Sequence, residues 1–190
     1  MARLARIADW VLETETERRR EHGAPVELAS ELKAELAVPG GFVLSGRADR
    51  IEKRMDGSVS ILDYKTGAAP GSPEVEAGSA PQLPLEAVMA QAGCFGDQFS
   101  GEVAQLAYWK ISGRHEAGEV LEVKPKKPRI LREVIEDAAR ALPEAFAKFA
   151  DGKTPYLASP HPKRVNKYDV YAGISRRAEW AGEDDANDGD

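Results

Sequence analysis

The stretch Gly41–Gly67, GFVLSGRADRIEKRMDGSVSILDYKTG, constrains this chain most, because it reads as two extended segments joined by a short loop. Phe42–Lys53 and Ser58–Lys65 are rich in apolar and β-branched residues, and Met55-Asp56-Gly57 lies between them. If a three-residue loop closes with Gly57 in the left-handed conformation, Arg54 pairs with Ser58, and the same register sets Asp49 opposite Asp63. Like charges facing each other across a sheet destabilise it, with β-carbons only about 5 Å apart. A divalent cation is the natural compensation. Paired carboxylates suit Mg²⁺, which commonly takes one or two of them and completes its shell with water or phosphate oxygens. Lys65, two residues beyond Asp63, points to the same face, so that face carries two acids and a base.

The chain of 190 residues is long enough to bury a core as one domain with tails. No apolar run approaches the roughly 18 residues of a membrane span, and MARLARIADWVLETE brings acids too early for a secretory leader, so a cytoplasmic protein without a membrane partner is expected. The single cysteine, Cys94, excludes an internal disulfide and any four-cysteine metal site within the chain. The net charge of −6 is concentrated at the end: Glu179, Glu183, Asp184, Asp185, Asp188 and Asp190 stand among residues 179–190 without a Lys or Arg, which leaves the body neutral. Two basic clusters, Lys124-Lys126-Lys127-Arg129-Arg132 and Lys163-Arg164-Lys167, are either phosphate contacts or ordinary solvated charge.

Periodicity supplies the remaining elements. Leu4, Ile7, Ala8 and Val11 have helical spacing, with Gly23 and Pro25 as stops. Over Leu28–Val38 the spacing of Leu28, Leu32 and Leu36 suits a helix, whereas Leu32, Ala34, Leu36 and Val38 alternate as in a strand; the strand is favoured because Pro39-Gly40-Gly41 then makes the turn, and it points Glu31 away from the Leu32 face. Residues 67–81 read as loop, Gln82–Ala92 as a short helix ended by Gly93, Val103–Ile111 as a strand with Val120–Val123 as a possible partner, and Arg129–Ala150 as a helix kinked at Pro143. Tyr108 and Trp109 read as core rather than as a base-stacking platform. Asp151-Gly152-Lys153-Thr154 has the tail of a phosphate-binding loop but Ala147 where its first glycine belongs, and a helix where a strand is required; nucleotide binding is rejected there.

GRADRIE (Gly46–Glu52), ILDYKTG (Ile61–Gly67) and PQLPLEA (Pro81–Ala87), in that order, resemble the motifs of the PD-(D/E)xK nuclease superfamily, and within it the RecB-like exonuclease domain at the C-terminus of AddB-type double-strand-break repair proteins. Tyr168–Trp180 resembles, imperfectly, the closing segment of AddB proteins. The resemblance implies an α/β, restriction-endonuclease-like core with a central mixed sheet flanked by helices over residues 1–180, followed by an acidic disordered tail at 181–190. It also implies Mg²⁺ (or Mn²⁺) held by Asp49, Asp63 and the Tyr64 carbonyl, with Lys65 orienting the attacking water and Gln82 beside the metal. The family's Gln-x-x-x-Tyr pattern is matched by Gln82 but not by Glu86, which stands in the tyrosine's place. Nothing before Gly41 matches the family's His-bearing helix; either an upstream segment precedes this chain or another acid substitutes, and Glu31 is the candidate fourth ligand. The implied activity is DNA exonuclease in double-strand-break repair, beside an AddA-type helicase–nuclease partner and without the iron–sulfur cluster of some relatives. The other reading is a binding module that keeps the fold and docks a DNA end or a partner without cutting.

Removing residues 181–190 is expected to leave the melting temperature unchanged while strengthening DNA binding at low salt, because the segment is an acidic competitor for the basic clusters. Differential scanning calorimetry and a binding isotherm at two salt concentrations check it; a large fall in melting temperature would show that the segment is structural.

Overall fold

A computed structural model describes residues 2–150 and 152–156. The order is α1 (Ala2–His22), β1 (Glu27–Val38), β2 (Phe42–Lys53), β3 (Val59–Lys65), α2 (Ser72–Glu76), α3 (Gln82–Gln91), β4 (Val103–Ile111), β5 (Gly118–Glu122) and α4 (Leu131–Ala150). The five strands form one sheet in the order β1-β2-β3-β4-β5. Every neighbouring pair is antiparallel except β3–β4, which is parallel. The sheet is therefore mixed and flanked by helices, as expected. A parallel pair needs a crossover, and the segment between β3 and β4 provides it with α2 and α3. Reading 67–81 wholly as loop missed the five-residue α2, whose first turn forms because the Glu74 carboxylate accepts the Gly71 N–H at 2.6 Å.

The β2–β3 hairpin closes as the glycine dictates. Arg54 N–H donates to Ser58 O at 2.9 Å, Gly57 has φ +82°, and Ser58 N–H is held by Asp56 Oδ1 at 2.9 Å. A side chain at Gly57 would be strained in that left-handed conformation. Where β2 passes under α3, Gly46 has a different reason: a β-carbon there would come 2.9 Å from Met89 Sδ. The main core lies on this side of the sheet, with Ala48, Ile51, Val59, Ile61, Leu106 and Tyr108 packed against Leu83, Ala87, Met89 and Ala90 of α3. Tyr108 and Trp109 are core residues, 1% and 0% exposed.

The alternation of the β1–β2 pair breaks once along its length. Inward-facing residues on β1 run Ala29, then Leu32, Ala34 and Leu36; on β2 they run Leu44, Ala48 and then Ile51. Both strands thus skip three residues instead of two, and they do so at facing positions. Register holds on either side, Ser30 with Arg50 and Leu32 with Ala48, leaving Glu31 across from Asp49. Glu31 has φ +55°, rare for a residue with a β-carbon. The strand pair turns over at this point, so Arg50 and Glu52 face the opposite side from Ala48's core.

That opposite side is covered by α1. Leu62, Ala107 and Trp109 form a second small core with Trp10 and Val11, and Trp10 meets Trp109 edge-on at 5.5 Å. Around it lies a buried ion network: Arg18 NH2 is 2.8 Å from Glu52 Oε2, Arg50 pairs with both Glu52 and Glu15, and Arg54 NH2 donates to Gln105 Oε1 at 2.6 Å. Burial opposes ionisation of Glu52, yet the Arg18 and Arg50 guanidiniums outweigh it and hold the carboxyl below its usual range.

The described residues fall into two units that part between Ala147 and Lys148. In the second, Phe149 stacks on Tyr156 at 4.9 Å and Thr154 Oγ1 donates to Lys148 O at 2.5 Å. The expected boundary at residue 180, the Lys163-Arg164-Lys167 cluster, the Tyr168–Trp180 segment and the acidic tail lie outside the described residues.

Glu52→Ala removes the buried carboxylate that Arg18 and Arg50 share, leaving both to Glu15 alone, and is expected to cost about 3 kcal/mol in urea unfolding. A loss below about 1 kcal/mol would mean that the network contributes little to the fold.

Candidate active site

Alternation along β3 turns Val59, Ile61, Asp63 and Lys65 toward α3. The first two enter the core, Asp63 is only 1% exposed, and Lys65 reaches the rim. The β2–β3 pairing runs from Lys53 with Val59 to Arg50 with Leu62, so Asp49 falls across from Asp63 at the next step, as the hairpin register predicts. Asp49 sits at the turnover of the β1–β2 pair, and its Oδ2 accepts the Tyr64 N–H at 3.0 Å. The Tyr64 ring goes to the other side, edge-on to Trp109 at 5.8 Å.

The helix α3 places its first residue over this end of the sheet. Gln82 Oε1 accepts from Lys65 Nζ at 3.0 Å, and Gln82 Nε2 donates to Asp63 Oδ1 at 2.5 Å and Glu86 Oε1 at 3.1 Å. An ammonium on one side and carboxylates on the other allow the amide only one orientation. Lys65 Nζ lies 2.7 Å from Asp63 Oδ2, but outside hydrogen-bond alignment, so that oxygen has a charge beside it and no directed donor. Glu86 Oε2 and the Tyr108 hydroxyl are likewise buried without a hydrogen-bond partner. Tyr108 is the register partner of Asp63 on β4.

Burial pushes the Glu86 carboxyl up to about 7; the Gln82 donor opposes this, while the Asp63 and Asp49 charges add to it. Burial, with Asp63 and Glu86 nearby, also raises Tyr108. Glu86 belongs to this cluster, although as a mismatch to a family pattern it offered no role. The signal available in sequence was its spacing: four residues after Gln82, on a helix whose other turns are apolar, it shares Gln82's face.

Of the residues singled out in the sequence, Asp63, Lys65 and Gln82 meet, and Asp49 joins through the Tyr64 backbone. Glu31 stands apart: its carboxylate is exposed and pairs with Arg47 at 2.8 Å. In the basic cluster after β5, Lys124 pairs with Glu122 at 2.8 Å, Arg132 with Glu136 at 3.5 Å, and Arg129 with Asp137. Three of its charges are thereby compensated. A cavity of about 590 Å³ opens beside the site, where Thr66 and Gly67 follow Lys65, and Arg3, Lys110 and Arg114 line it.

Asp63 Oδ2 and Glu86 Oε2 are carboxylate oxygens buried without a directed donor, a chemistry that suits a hard divalent cation rather than a thiolate-seeking one. Among the described residues, no three His, Cys, Asp or Glu side chains stand close enough together to enclose a metal ion. Also among them, no helix is long and apolar enough to cross a membrane.

A family model for the PD-(D/E)XK nuclease superfamily matches residues 1–163. Two uncharacterized rickettsial proteins are similar over shorter stretches. RC0550 of Rickettsia conorii is 42% identical over 66 residues, and RT0391 of Rickettsia typhi is 41% identical over 63. Each alignment covers 33% of this chain, which spans only 8% and 7% of those proteins' lengths. Among solved structures, the crystal structure of SSO0001 is 16% identical with a TM-score of 0.34, over 70% of this chain and 59% of that one.

The Glu86 carboxyl gives a pH signature. Its value rises from 4.5 to about 7 on folding, so between those values the folded protein holds a proton that the unfolded chain has released. Stability therefore falls as pH rises through that window. With metal removed by EDTA, Glu86→Gln should melt higher than the wild type at about pH 8, by up to about 3 kcal/mol in stability, and nearly equally at about pH 4.5. Equal melting at the higher pH would show that the buried carboxylate carries no such penalty.

Proposed function

Since the chain belongs to the PD-(D/E)XK nuclease superfamily, we propose that it is a Mg²⁺-dependent DNA exonuclease, an AddB-like domain acting in double-strand-break repair with an AddA-type partner. The observation that carries the hydrolytic part of this reading is the Lys65 ammonium held 2.7 Å from Asp63, a carboxylate only 1% exposed, at the open end of the hairpin. The exonuclease mode, the repair role and the partner follow from the likeness of the three motifs to AddB proteins.

Asp49 and Asp63 would hold the cation, helped by the Tyr64 carbonyl. When bound, such an ion neutralises charge on the scissile phosphate and lowers the pKa of a bound water. The chain's own residues do the rest. Asp63 fixes Lys65 electrostatically, and Gln82 holds the same ammonium from the other side, so Lys65 presents its remaining protons in a set direction. A water or phosphate oxygen placed there meets a preorganised donor, which costs no reorganisation as charge develops. Arg3, Lys110 and Arg114 in the adjoining cavity supply positive charge for a phosphate backbone entering from that end. Glu116 and Glu119 also line it, and Lys110 pairs with Glu119 at 3.5 Å, so the path is only moderately basic.

The second reading, a module that binds a DNA end or partner without cutting, has one observation in its favour: the absence, among the described residues, of three clustered metal-ligating side chains.

Lys65→Ala should lower Mg²⁺-dependent degradation of linear DNA about 10²–10³-fold while leaving DNA binding nearly unchanged. Asp49→Ala should lose Mn²⁺ binding and cleavage together. Gel assays with end-labelled linear and closed circular DNA measure both rate and exonuclease mode. Wild-type protein that binds DNA yet degrades neither substrate above the Lys65→Ala background would establish the binding-module reading instead.

A further inference from the structure

Gln82 does something unusual for a neutral side chain: its amide nitrogen stands between two carboxylates, 2.5 Å from Asp63 Oδ1 and 3.1 Å from Glu86 Oε1. With its two protons it supplies each of these oxygens with a hydrogen-bond donor. The supply is incomplete. Glu86 is 5% exposed, and its second oxygen, Oε2, has no hydrogen-bond partner; as a carboxylate it lacks a donor, and as a carboxylic acid it lacks an acceptor. Beside it, Tyr108, 1% exposed, directs a hydroxyl into the same region with no partner either. A cluster of oxygens of this kind, buried and short of hydrogen-bond partners, is costly unless something compensates it.

Sequence explains how Glu86 comes to be there. On α3 it lies one turn beyond Gln82 and is flanked by Pro84, Ala87 and Ala90, all buried, so the helix cannot rotate it to solvent without exposing its packing face. The charge nearest to hand, Lys65, is already engaged with Asp63 and with the Gln82 carbonyl oxygen.

We propose that Glu86 is a ligand of the metal centre: with Asp63 it would hold the divalent cation, their unpartnered oxygens, Glu86 Oε2 and Asp63 Oδ2, being the ones that the Gln82 amide leaves without a donor. This rests on the metal-dependent reading of the same site and adds a third carboxylate to it. It also gives Gln82 a second role, as the donor that holds the other oxygen of each carboxylate.

The test uses Mn²⁺ alone, titrated into the full chain at about pH 8 after EDTA treatment, with free ion read by electron paramagnetic resonance and stabilisation by the Mn²⁺-induced rise in melting temperature. Wild type should bind saturably. Glu86→Gln, isosteric and uncharged, should bind at least tenfold more weakly and lose most of the melting-temperature rise, while its melting temperature in EDTA certifies that it is folded. Mn²⁺ affinity in Glu86→Gln within twofold of wild type would overturn the assignment, and continued Lys65-dependent cleavage by that variant would leave the nuclease reading standing without it. Wild type that neither binds Mn²⁺ nor cuts DNA would defeat both. Glu86-dependent binding without cleavage would uphold the assignment and defeat the nuclease reading.

Discussion

A carboxylate at the depth of Asp63 is the constraint to which the surrounding structure answers. Burying such a charge alone would cost far more than one domain's stability can absorb, so it has to be met by donors and opposite charge. Lys65 meets one oxygen from the same strand and Gln82 the other from the crossover helix. This dependence explains why the parallel β3–β4 step and its α2–α3 crossover are indispensable: only a chain that leaves the end of β3 and returns over the sheet can lay the first turn of α3 on Asp63. The hairpin provides the acids, and the crossover provides what makes them tolerable.

The same hairpin carries charge on its other side, where Glu52 and Arg50 join Glu15 and Arg18 of α1. The two clusters differ in what they lack. On the α1 side every acid has a guanidinium, and Glu52 stays easily ionised. On the α3 side Glu86 has only an amide, and its proton is held until about neutral pH. Full compensation suits a structural tie, whereas a deficit of positive charge suits a site that receives a cation.

Much of the architecture was legible in the sequence, for identifiable reasons. Gly57 three residues after Arg54 determined the hairpin register, and with it the Asp49–Asp63 juxtaposition; alternation before the Pro39-Gly40-Gly41 turn gave β1; helical spacing gave α1 and α4. What escaped has physical causes as well. The turnover at Glu31 depends on a left-handed residue that no local composition demands, so a strand read by uniform alternation could not place Glu31. The compensated basic residues after β5 look like a phosphate patch until their partners on α4 and β5 are known. Helix α2 is held by a single capping carboxylate within a segment rich in Gly and Pro, where composition speaks for loop. Glu86 was visible only as a departure from a pattern, and its burial is a tertiary fact.

The matched turnover of β1 and β2 makes the long strand pair two lengths of ladder joined at Glu31 and Asp49. On the near side, β2 is also held along its other edge by β3, in the register set by the Met55-Asp56-Gly57 turn. On the far side, it is anchored by the turn at Pro39-Gly40-Gly41. The β2–β3 turn sets Asp49 against Asp63 independently of the outer β1–β2 ladder, which can lengthen or shorten by facing residues without moving one acid relative to the other. The fold thereby separates a part of the molecule free to drift in size from a part whose geometry is fixed to a fraction of a residue, and the boundary between them runs through an acid of the site itself.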